Sequence, residues 1–190
     1  MTMEIFWLEP VLILALILAN GFFAASEIAV IAMRKSRIDT MLDRGVKCAT
    51  VIARLKSDPD RFLATVQIGV TIVGTLASAI GGATAIAYLE PRIAASEIPL
   101  LAHGSKAIAL LIVVVPISYL SLVLGELVPK SLALKYSEQI ACFVARPIDW
   151  LSRATALFVK SLTVSSNAVL RLFGVHEAEG ASFISAEEVK

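Results

Sequence analysis

Oxygen donors are the chemically expressive residues of this chain. Asn20, Ser26 and Glu27 stand near its start, Thr71 and Gly74 in the middle, and Ser121, Gly125 and Glu126 further on, each set inside an apolar run. Pro129 and Lys130 follow the last set. Proline has no amide hydrogen and disfavours helical geometry in the residue before it, so the turn carrying Gly125 and Glu126 is predicted to hold unpaired carbonyls. A carboxylate beside free carbonyls, amides and hydroxyls, with no thiol or imidazole among them, suits a hard cation such as Mg²⁺, Ca²⁺ or Na⁺ better than zinc or copper. An ionisable side chain at membrane depth costs about 2.5–3.5 kcal/mol on insertion scales, which makes Glu126 a candidate functional residue.

These donors need apolar elements to carry them, and the composition supplies little else. With 57% hydrophobic and 17% charged residues over 190 positions, and a mean hydropathy of +0.81, the chain reads as an all-α integral membrane protein. A net charge of +1 cannot provide the dense basic face that nucleic-acid binding requires. Cys48 and Cys142 lie far apart with no metal-ligand spacing, and both are expected to be reduced thiols. No secretory signal is expected at the start, because residues 1–9 carry Glu4 and Glu9 but no basic residue. No Ser/His pair, HExxH or paired aspartate falls within the apolar runs, so enzymatic chemistry is not expected.

Three membrane-spanning helices are predicted, at about residues 8–33, 62–89 and 107–128, with Pro10 in the opening turn of the first. Between the first two, residues 34–61 are rich in Arg and Lys and form a cytoplasmic loop containing two short helices. The loop at 90–106 holds only Arg92 and Lys106 as basic residues, which places it outside and the N-terminus outside with it. On the second span, Gln67, Thr71, Gly74, Thr75 and Ser78 share a face predicted to meet other helices. Residues 146–172 read as an amphipathic juxtamembrane helix on the cytoplasmic interface, with Arg146, Asp149 and Arg153 on its polar side. A fourth span is the rival reading. Residues 1–174 thus form the transmembrane domain, and 175–190 begin an acidic helical region that leaves the membrane.

Depth along the spans gathers the donors. At about 1.5 Å per residue from the cytoplasmic ends, Glu27 lies about 10 Å in, Asn20 about 21 Å, Thr71 about 15 Å, Gly74 about 20 Å, Ser121 about 14 Å and Glu126 about 6 Å. Structural readings stand beside the functional one. Glu27 pairs with Arg34 or Arg37, Glu126 with Lys130, Asn20 serves as a bond between helices, and the hydroxyls bond back to their own helix.

The segments LANGFFAASEIAVIAMRKSRI (18–38), TVQIGVTIVGTLASAIGG (65–82) and GELVPKSLALKYSE (125–138) resemble the transmembrane domain of the CorC/cyclin M (CNNM) family of magnesium transporters. The resemblance implies a homodimer in the cytoplasmic membrane, each protomer holding a Mg²⁺ site, with export coupled to Na⁺ entry. Its polar positions fall on Asn20, Ser26, Glu27, Gly74, Gly125, Glu126 and the Pro129-Lys130 corner, the last a structural hinge. Relatives often carry asparagines where Val70 and Gly74 stand here, so Thr71, Thr75 or backbone must fill that part of the shell. Relatives also continue into paired CBS domains, which bind nucleotide and are absent from residues 1–190. A Mg²⁺-sensing or scaffold protein that regulates another transporter would present the same site.

Overall fold

A computed structural model describes residues 3–172 of the protein, and no strand occurs among them. The order is α1 (Met3–Ala32), α2 (Lys35–Asp43), α3 (Lys47–Ser57) and α4 (Pro59–Thr84), then a π-helical turn (Ala85–Leu89), α5 (Glu90–Ala94), α6 (Pro99–His103) and α7 (Ser105–Leu122). A second π-helical turn (Val123–Leu127), α8 (Val128–Lys135), α9 (Ser137–Ala154) and α10 (Ala156–Leu172) complete it. Three stretches are long and apolar enough to cross a bilayer: Leu8–Ala32, Pro59–Ala94 and Ser105–Lys135. The chain is an all-α membrane protein.

The first helix starts before Leu8, so Pro10 lies inside it and not in its opening turn. Residues 146–172, expected as one helix, are divided between α9 and α10, with a break at Thr155. They fall in two compact units, residues 1–154 and 155–190. Within α10, Ser161 Oγ donates to the Phe158 carbonyl and Ser165 Oγ to that of Ser161, each hydroxyl turned back along its own helix. The acidic region expected over 175–190 lies outside the described residues.

In the first unit, α1 packs along α4, α8, α9 and the second π turn, while α4 also lies against α7. Gly69 lets α4 approach α1, since a Cβ there would lie 2.5 Å from the Phe23 ring. The buried stripe of α4 runs through Phe62, Val66, Gly69, Ala77 and Gly81. Within the chain this is not the predicted contact face: Gln67, Thr71, Thr75 and Ser78 are exposed, and α4 turns to Phe23 of α1 the side where Gly69 gives room. Thr75 Oγ1 donates instead to the carbonyls of Thr71 and Ile72.

The densest core gathers at the end where α2 and α3 lie. There Val30, Met33, Ile38, Met41, Ile52, Leu55, Phe62, Val144 and Ile148 pack together. Short helices here have good reason to stop and turn. Gly45 adopts φ 70, the Gly45 N–H donates to the Leu42 carbonyl and the Val46 N–H to that of Met41, so α2 closes on a left-handed C-terminal cap that glycine adopts without strain. Asp58 caps α4 by accepting from the Arg61 N–H at 3.2 Å, with Pro59 in the first turn. Lys56 on α3 closes α1, donating to the carbonyls of Ile31 (3.3 Å) and Met33, where a cation offsets the negative end of the helix dipole. Burial pushes its ammonium below the usual lysine range.

Cys48 and Cys142 are disulfide-bonded, with Cα atoms 5.1 Å apart. This corrects the expectation of reduced thiols. Their sequence separation of 94 hides a proximity that the packing of α3 on α9 creates.

Two measurements check this end of the molecule. A Cβ at Gly45 would meet nothing within 4 Å, so the expected loss of about 1–2 kcal/mol in Gly45→Ala, read as a lower thermal midpoint in detergent, is backbone strain alone, and Gly45→Asn should lose much less. Maleimide should add no mass to the folded protein until a reductant is supplied, after which both thiols label. Full labelling without reductant would contradict the cross-link.

Candidate cation site

The third span does not break before Pro129. It widens into the π turn Val123–Leu127, in which the Val128 N–H reaches back to the Val123 carbonyl, five residues away. Pro129 would have supplied the N–H that an α-helix directs at the Gly125 carbonyl, four residues earlier. That carbonyl accepts instead from Asn20 Nδ2 on α1, at 3.1 Å in a buried contact. The freed oxygen expected at this turn is therefore met by the amide of another helix.

The approach is close because both sides lack side-chain bulk. A Cβ on Gly125 would lie 3.0 Å from Asn20 Nδ2 and 3.3 Å from the Ile17 carbonyl. A Cβ on Gly21 would lie 2.9 Å from both the Leu124 carbonyl and Pro129 Cγ. Gly21 and the Ile17 carbonyl thus belong to this junction. The Asn20-Gly21 pair within an apolar run was the sequence signal for the first, and no side-chain signal exists for the second.

Asn20 is only 6% exposed. Its Nδ2 is committed to Gly125, and its Oδ1 is buried with no hydrogen-bond partner. A buried amide oxygen left bare costs about 1–3 kcal/mol. A cation would satisfy it. Ser26, fully buried on the same helix, donates Oγ to the Phe22 carbonyl at 2.6 Å, which spends its hydrogen and leaves its lone pairs.

Glu27 and Glu126 are partly buried, and neither forms an ion pair among the described residues. Arg37, a candidate partner of Glu27, is held by Glu138 at 2.6 Å. Lys130 does not bridge to Glu126 among the described residues, and it and Pro129 lie within the continuous helix α8. Ser121 is partly buried one turn before Gly125. Thr71 is exposed, and a Cβ on Gly74 would meet nothing within 4 Å. The structure thus joins Asn20 to Gly125, sets Ser26, Glu27, Ser121 and Glu126 on the two helices that meet there, and leaves Thr71 and Gly74 on an open face of α4. Among the described residues no three His, Cys, Asp or Glu side chains cluster. Any cation at the junction must draw on amide, hydroxyl and backbone oxygens with one or two carboxylates, a set that fits a hard ion.

Fold and site together define a multi-pass membrane domain whose first and third spans meet at a buried, under-satisfied amide oxygen. The cyclin M transmembrane N-terminal domain profile matches residues 11–190, and the chain belongs to that family. It is 43% identical over 96% of its length to the UPF0053 protein sll0260 of Synechocystis sp., and 31% identical over 91% to the UPF0053 protein YrkA of Bacillus subtilis. Against the DUF21 domain-containing protein At1g55930, chloroplastic, of Arabidopsis thaliana it is 28% identical over 96%. The chain spans 40%, 39% and 25% of those relatives' own lengths, respectively.

A double-mutant cycle tests the junction. Asn20→Ala should lower stability by about 1–3 kcal/mol because the Gly125 carbonyl is left bare. Pro129→Ala restores an N–H that can serve that carbonyl, so the double variant should lose clearly less than the sum of the two single losses. Strict additivity of the thermal shifts would contradict the proposed exchange of donors.

Proposed function

We propose that this chain is the membrane-spanning part of a Mg²⁺ transporter of the cytoplasmic membrane, exporting the ion by alternating access with Na⁺ entry as the driving force. The observation that carries the reading is the bare Asn20 Oδ1, buried beside the turn that bears Glu126. Membership of the cyclin M family supports it. In this mechanism Glu126 supplies charge, Asn20 Oδ1 and Ser26 Oγ supply neutral oxygens, and Glu27 completes the cage or serves Na⁺. Mg²⁺ sheds water reluctantly and asks for a near-octahedral oxygen set, so the site keeps some of the ion's water.

The π turn suits the moving part. Its five-residue hydrogen bond is a high-energy local arrangement, and reverting to α geometry would rotate Glu126 relative to α1. Glu126 is only partly buried, which leaves its carboxylate within reach of an entering ion. The open face of α4, with Thr71, Gly74, Thr75 and Ser78, supports a homodimer: small and hydroxyl-bearing residues allow close approach of a second spanning helix. The N-terminus lies outside in this arrangement.

The test is Mg²⁺ flux into proteoliposomes under an imposed Na⁺ gradient. Glu126→Gln should reduce flux about tenfold or more, as expected for losing a charge-assisted contact of 1.5–3 kcal/mol, and Asn20→Ala should reduce it as well. Undiminished flux in Glu126→Gln removes the central ligand from the mechanism. Mg²⁺ binding by the purified protein with no flux under any gradient would favour a sensor that acts on another transporter.

A further inference from the structure

At the α2–α3 end, separate from the junction of α1 with the π turn, a cavity of about 350 Å³ opens between the end of α3, the start of α4 and the last turns of α9. Three guanidinium groups line it, from Arg54, Arg61 and Arg153, against two carboxylates, Asp58 and Asp149. Both carboxylates are engaged. Asp149 Oδ2 accepts from Arg54 Nη1 at 3.3 Å and from Arg153 Nη2, and Asp58 Oδ1 accepts from the Arg61 backbone N–H.

Arg61 is the group left over. Its Nη2 donates to the Ser152 carbonyl at 3.0 Å, but its Nε is buried without any acceptor. The cavity therefore offers three guanidinium groups with a surplus of one positive charge, and the positive end of a 26-residue helix whose first turn forms one wall.

We propose that this cavity binds a phosphate group, with the guanidinium groups of Arg54 and Arg61 as its principal donors. Guanidinium matches the paired oxygens of a phosphate, and a dianion or monoanion would offset the surplus charge. Asp149 acts as the positioning residue: only 7% exposed, it holds Arg54 from α3 and Arg153 from its own helix toward one space. The site sits where α4 passes from the charged Asp60-Arg61 pair into an uncharged apolar run, and Trp150, next to Asp149 in sequence on α9, is 70% exposed. That is the level of lipid headgroups. The phosphate belongs to an anionic phospholipid or to a soluble phosphate compound, and the chemistry of recognition is the same for both.

Native mass spectrometry of the detergent-purified protein with phosphatidic acid and with phosphatidylcholine separates the sources from each other and from simple lipid adhesion. A parallel thermal melt in inorganic phosphate, against chloride at equal ionic strength, tests the soluble source. Phosphatidic acid should bind in clear excess over phosphatidylcholine, and Arg61→Gln and Arg54→Gln should each cut that excess about fivefold, the worth of one basic residue at a membrane surface. Lys47→Gln, exposed at the far end of α3, should leave it unchanged. If the lipids bind alike but inorganic phosphate raises the melting point in wild type and not in the two arginine variants, the site is one for soluble phosphate. Equal behaviour of wild type and both variants toward every ligand overturns the proposal. Should Arg61→Gln not fold, Arg54→Gln decides, since that side chain is 54% exposed and lies at the rim.

Discussion

The amide hydrogen that Pro129 lacks is the constraint on which the membrane part of this structure turns. Its absence strips the Gly125 carbonyl of its intrahelical donor, and in a bilayer core no water replaces it. Asn20 supplies the missing hydrogen from another helix. That single bond fixes which way the amide points, and so leaves its oxygen, not its nitrogen, without a hydrogen-bond partner. Two glycines make the contact sterically feasible: Gly125 and Gly21 each sit where a methyl group would collide with the opposite helix. Proline, asparagine and two glycines thus form one unit, and none of them is explained alone.

Much of this was legible in the residues. Pro129 announced a disturbed turn at Gly125, and the apolar runs announced three spans. What the sequence could not state was the form of the disturbance, a widened turn within a continuous helix, because a proline is compatible with a break, a kink or a bulge. Periodicity does not reveal which face of α4 packs within the chain: the volume of Phe23 and Ile117 selects the side bearing Gly69 and Gly81, while the polar side stays exposed. Asp149 was assigned to a solvated face with Arg146 and Arg153, yet it is buried and bridges Arg153 to Arg54. Partners some ninety positions distant cannot be read from periodicity, and the same holds for Cys48 and Cys142.

Rigidity is unevenly shared along the membrane normal. The close-packed cluster joins the ends of α1 and α4 to α2, α3 and α9, and the cross-link and the Lys56 cap act in the same place. By contrast, only 6% of the most apolar window of the third span is buried within the chain. Spanning helices gain little from mutual hydrophobic contact because lipid is as apolar as leucine, so a firm base at one end and sparse packing above it is a stable division of labour.

The other wide turn, Ala85–Leu89, ends on Glu90 immediately before Pro91, as Val123–Leu127 ends on Val128 before Pro129. Each amounts to one extra residue threaded into an otherwise regular helix, and one residue is about 100° of azimuth. What lies beyond each turn is therefore phased independently of what precedes it. Along both chain segments the helix behaves like two rods joined by an angular offset, so the direction in which α8 presents Lys130 is set by a local insertion, while the distance spanned is set by the apolar length alone.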